Sequence, residues 1–108
     1  MDIKAQISAG VCGFKTTIEA TSADGMHVAL AIVSDCPHVA ALAAELTGLD
    51  AFEQVLRTPL ADTIPARLAA RHKLHTTCLV PVGIVKSVEA AAGLALPVES
   101  SIKLDRTE

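Results

Sequence analysis

Met26-His27-Val28-Ala29-Leu30-Ala31-Ile32-Val33 is a nearly unbroken apolar run, and Ser34-Asp35-Cys36-Pro37 ends it abruptly. The run has the length of a strand, and its continuity predicts a central strand covered on both faces or nearly so. Pro37 suits the first position of a helix, where the N–H it lacks would have no partner. Asp35 is placed to cap the free N–H groups at that helix start. Val39, Leu42, Ala43 and Leu46 then recur at helical spacing, so one face of the helix packs on the sheet. Gly48 is its expected end.

Working back from this stretch, Ile3, Ala5 and Ile7 alternate with polar residues, the period of a half-buried strand. Residues 15–21 are rich in Thr and Ile and read as a second strand. Ser22-Ala23-Asp24-Gly25 supplies the turn into the third, with Asp-Gly as the hairpin signal. Working forward, residues 49–56 read as a short helix, 59–63 as a loop, and 65–72 as a helix carrying Ala66, Ala69 and Ala70. Residues 81–92 place Ile84, Val85, Val88, Ala91 and Ala92 on one side of another helix, with Gly93 as its stop. Val98, Ser100, Ile102 and Leu104 alternate once more and predict a C-terminal strand. The expected fold is α+β, one domain over residues 1–108: a three-stranded antiparallel meander plus that strand, with helices on one face.

Composition narrows the function. The chain has 108 residues, 51% of them hydrophobic but only 2% aromatic, with no Trp or Tyr. The core must be aliphatic, and a stacking platform for single-stranded nucleic acid is missing. A net charge of −3 without a basic stripe argues against nucleic acid as a partner. The segment at Met1 has no apolar stretch of a secretory signal, and no run nears the ~18 apolar residues of a membrane span. A cytoplasmic protein with no membrane partner is expected. There is no G-x-S-x-G, P-loop, H-E-x-x-H or dinucleotide fingerprint, so no catalytic residue is assigned.

The three cysteines are the distinctive feature. Cys12 lies in Gly10-Val11-Cys12-Gly13, between two strands. Cys36 lies where a strand hands over to a helix. Cys78 ends His75-Thr76-Thr77-Cys78, just before a second helix. Structural cysteines usually lie inside apolar stretches, so this placement suggests thiolates meeting at one site. An odd count in a reducing compartment does not suit a disulfide framework. A helix start carries free N–H groups that favour a thiolate, and the glycines flanking Cys12 let the backbone bend close to a bound atom.

Three thiolates leave a tetrahedral ion one ligand short. His75, three residues before Cys78, is the preferred fourth ligand; His38 is the alternative, with Asp35 behind them. His27 and His72 carry no ligand expectation. Soft thiolates select zinc, copper(I) or iron–sulfur clusters, although without a C-x-x-C pair the spacing alone is a weak zinc signature.

The whole layout resembles the IscU/NifU-type iron–sulfur scaffold family. The likeness rests on Ala9-Gly10-Val11-Cys12-Gly13, on Ile32-Val33-Ser34-Asp35-Cys36-Pro37, on Glu45-Leu46-Thr47-Gly48-Leu49-Asp50-Ala51-Phe52-Glu53, and on Lys73-Leu74-His75-Thr76-Thr77-Cys78, over roughly residues 5–93. The start of the late helix is also similar to the Thr-Ser-Cys-Pro-Asp variants of that fold. The resemblance implies an IscU/SufE-like arrangement of three strands and several helices. It also implies Cys12, Cys36 and Cys78 as ligands to zinc or an iron–sulfur cluster, and a cysteine desulfurase or an iron–sulfur client protein as partner. Two positions depart from the pattern: Phe14 stands where the family has an Asp that helps release the cluster, and Thr77 where it has a His. Asp35, Phe14 and Thr77 are expected around the ligands, with Phe14 shielding the site so that an ion is held rather than passed on. Two other readings remain open: a sulfur acceptor or redox module using Cys36 or Cys78 as nucleophile, and an adaptor domain with vestigial cysteines.

Overall fold

The computed structural model describes residues 1–108. Strands β1 (Asp2–Ser8), β2 (Lys15–Thr21) and β3 (His27–Ser34) form the expected antiparallel meander, and a short β4 (Gly48–Asp50) pairs with the start of β3. The sheet order is β1-β2-β3-β4. Helices α1 (Pro37–Glu45), α2 (Ile64–Arg71) and α3 (Val80–Ala91) pack on one face. A π-helical turn at Phe52–Arg57 and a 3-10 turn at Leu60–Asp62 lead into α2. The α+β class is as expected.

Alternation decides which face is covered. Ile18 and Ala20 on β2, and Val28 and Leu30 on β3, point into a core completed by Val39 and Leu42 of α1 and Val80, Ile84 and Val88 of α3. The core is aliphatic throughout. Each fully buried Val, Leu or Ile among them contributes roughly 1.5–3 kcal/mol relative to leaving it in water. The two phenylalanines, Phe14 and Phe52, are at the surface.

Several expectations are corrected. β3 is covered on one face, not two: His27, Ala29, Ala31 and Val33 face solvent, Val33 at 72% exposure. Its continuous apolar run reflects small alanines on the open face, not a second layer. The fourth strand is Gly48–Asp50, and residues 98–104 have no regular structure. α1 stops at Glu45, because Leu46 turns to an extended conformation and frees Thr47 to accept from the Leu30 N–H at 2.8 Å. Gly48 therefore begins a strand rather than ending a helix. The short helix expected over 49–56 forms only at Phe52–Arg57, after β4.

The helix limits have local causes. Thr63 caps α2, its hydroxyl accepting from the Ala66 N–H at 3.3 Å. Gly93, at φ 76°, ends α3: its N–H reaches Ala90 and that of Leu94 reaches Glu89, both at 3.0 Å. That pair of bonds satisfies the last carbonyls as a Schellman motif does.

Candidate functional site

The register carries the cysteines to one end of the sheet. Ser8 pairs with Lys15, and Thr16 with Ser34, so the β1–β2 loop and the β3–α1 junction lie side by side. α3 begins at the same end: a methyl group on Gly83 would run into Ile7 Cδ1, near the end of β1. Its far end lies by the opposite hairpin, where a Cβ on Gly25 would come within 3.5 Å of the Ala92 carbonyl. The loop bearing Cys12 and the starts of α1 and α3 therefore share one rim of the molecule.

Each thiol is placed differently. Cys12 is exposed in a tight turn closed by Gly13 N–H donating to Gly10 C=O at 2.9 Å. Gly10 and Gly13 hold φ of 91° and 72°, a region other residues rarely adopt. Cys36 is the residue before the first turn of α1; its N–H donates to Ser34 Oγ at 3.1 Å and its carbonyl accepts from Ala40 at 2.9 Å. Cys78 closes a turn onto the His75 carbonyl at 3.0 Å, just before α3. Cys36 and Cys78 are both half-buried against the aliphatic core. None of the three forms a disulfide.

Around them, Asp35 does not cap α1. Its carboxylate accepts from the Lys15 N–H at 3.4 Å, and no side chain caps that helix. Asp35 stands one residue before the N-cap position, which Cys36 occupies; the Ser34 hydroxyl accepts from the Cys36 N–H and also bonds Thr16 Oγ1 at 2.7 Å. Ser34 is thus the residue that ties β2 to the Cys36 turn, and sequence reasoning passed it over. Phe14 is 38% exposed, and His75 and Thr77 are exposed on the turn before Cys78. His38 is oriented from outside the rim: its Nδ1 bonds the His72 carbonyl at 3.0 Å, which leaves Nε2 free.

The donor set, three soft sulfurs and imidazoles on one rim, has the chemistry of a zinc or iron–sulfur site. As the side chains stand, no three His, Cys, Asp or Glu residues converge tightly enough to hold an ion. Two polar clusters lie elsewhere. Asp24 accepts from the Met26 and His27 N–H groups and pairs with His27 Nδ1 at 2.8 Å. That hydrogen bond from His27 holds the Asp24 carboxyl well below its usual range and raises His27 above its own. Glu45 takes His72 and Arg71 together, joining α1 to α2, and the His72 hydrogen bond lowers its pKa. Asp24–His27 is an i, i+3 pair readable in hindsight; Glu45–His72 depends on tertiary packing.

The profile of a family described only as a family of unknown function (DUF6951) matches residues 3–104. The chain belongs to that family. The match takes in β1 to residue 104, and so all three cysteines. No curated protein and no solved structure matches the chain. No helix is long and apolar enough to cross a membrane.

Proposed function

We propose that this protein binds a soft metal, as zinc or an iron–sulfur cluster, through Cys12, Cys36 and Cys78. One observation supports the reading above the others: three cysteines from distant parts of the chain lie on one rim of the sheet, two of them directly before helices. Cys36 and Cys78 are anchored by packing against a common core. Cys12 rides on a glycine-flanked turn in solvent, so completing the ligand set falls to that turn. His75 or His38 supplies a fourth donor; His38 has the better-oriented ring, because its Nδ1 is already committed to a carbonyl. When bound, the ion or cluster would cross-link the β1–β2 loop to two helix starts. With Phe14 in place of an acidic residue next to Cys12, retention is favoured over transfer to a client.

The test is metal analysis and an absorption spectrum on protein purified without oxygen, beside a triple Cys→Ser variant. About one zinc per chain, or sulfur-to-iron absorption, lost in a variant that remains folded, is the expected result. Absence of stoichiometric zinc or iron from the parent, also after reconstitution, contradicts the proposal. A second reading has its own support in Cys36, which stands at the uncapped start of α1: a sulfur acceptor using that thiol as nucleophile. Thiol-labelling rates against pH separate the two, since three thiols all titrating near the ordinary ~8.5 rule out the second.

A further inference from the structure

Residues 98–104 have the alternation of a strand but no partner in this chain. Val98, Ile102 and Leu104 are 70%, 70% and 89% exposed. Beyond Leu94, no backbone group of the segment bonds to the rest of the protein; its one backbone bond joins Val98 to Leu96, and its ion pairs, Lys103–Asp105 and Arg106–Glu108, are local.

The opposite feature lies at the sheet's edge. β1 is the outer strand and pairs only with β2, so its other side offers unpaired N–H and C=O groups along 7 residues. Its inward side chains Ile3, Ala5 and Ile7 are only half-buried, while Ile18 and Ala20 beside them on β2 are fully buried. α3 reaches β1 at Ile7, where Gly83 lets it approach, but the outer flank of the strand stays partly open. An open strand of this kind is a ready template for strand addition.

We propose that residues 98–104 pair with β1 of a second copy of this chain, and that the exchange is reciprocal. The segment has the same length as β1 but alternates in the opposite phase, beginning apolar at Val98 where β1 begins polar at Asp2, so the two match in a register shifted by one residue. In that register Val98, Ser100, Ile102 and Leu104 would continue the row of Ile3, Ala5 and Ile7 over the core, with Ser100 its one polar member, and Glu99, Ser101 and Lys103 would continue the exposed row of Asp2, Lys4 and Gln6. β4, the other edge, has only 3 residues and cannot take the segment along its length. One chain carries both halves of the pairing and joins neither to the other; two chains related by a twofold axis use both at once, closing the assembly at a dimer. This inference is independent of any metal, since the edge and the segment contain no cysteine.

The full chain is measured by light scattering during size exclusion, beside V98E/I102E, whose folding is checked by circular dichroism. The parent should run at twice the mass of one chain and the variant at one. The parent's alternate β1 amides that face away from β2 should exchange slowly and become fast in the variant. A monomeric parent overturns the proposal, whether those amides are slow, meaning the segment docks on its own sheet, or fast. A dimer that V98E/I102E leaves intact overturns it as well.

Discussion

The two ends of the sheet are built on opposite plans. At the β2–β3 hairpin the Ser22, Asp24 and His27 side chains all bond within the turn: Ser22 Oγ donates to the His27 carbonyl at 2.8 Å and accepts from the Gly25 N–H at 3.0 Å, while Asp24 takes two backbone N–H groups and the His27 ring. At the opposite rim, three thiols and His75 have no side-chain hydrogen bond, and α1 and α3 begin without a side-chain cap. One end closes on itself and serves the fold. The other leaves its thiols, His75 and two helix starts without side-chain partners.

The contrast can be broken first at Gly83, which lets the start of α3 approach β1. Gly83→Val should push α3 off Ile7 and cost about 1–3 kcal/mol in urea unfolding. It should also disorder the cysteine rim and leave the far hairpin's amide signals unchanged. An unchanged stability would mean that α3 does not fix the rim.

Next comes a direct comparison of the ends. Ser22→Ala should cost about 1–2 kcal/mol, because it strips a buried hydroxyl from two backbone partners. Cys12→Ser, in an exposed turn, should stay within about 0.5 kcal/mol in metal-free protein. Equal costs would erase the distinction between a structural and a functional end. In loaded protein, Phe14→Asp should speed metal loss to a mild chelator; rapid loss already in the parent would contradict retention.

The smallest effect is on pH dependence. His27 should titrate above 6.5 by NMR and fall back toward that value in Asp24→Asn. The sign follows from the two shifts. Asp24's lowered pKa gives stability that is lost as pH falls through it, and His27's raised pKa gives stability that is lost as pH rises through it. The pair therefore stabilises most between them, and the gap between parent and His27→Gln should narrow above the raised pKa.

Much of this fold is legible in the chain because periodicity is local. Ile3-Ala5-Ile7 and the Val39-Leu42-Leu46 spacing fix their elements without reference to anything distant. β4 is not legible: three residues carry no period, and Gly48-Leu49-Asp50 becomes a strand only because His27, Val28 and Ala29 are there to pair with. Residues 98–104 fail in the reverse way, since alternation specifies a strand's faces but not its neighbour. At the rim, the breaks holding Cys12, Cys36 and Cys78 are visible as Gly, Pro and Thr. Asp35 misleads because it falls one residue before the N-cap position, held by Cys36, and its carboxylate turns to the Lys15 N–H instead. That the three breaks share one end follows from strand register, which only pairing reveals.

The most direct test of a common site is protection of the thiols. The parent is labelled with an alkylating reagent without oxygen, with and without one equivalent of zinc, and the modified cysteines are counted by mass spectrometry. Joint slowing of Cys12, Cys36 and Cys78 by a single ion is the predicted result. Binding of the ion with unchanged labelling at any two of them would contradict it.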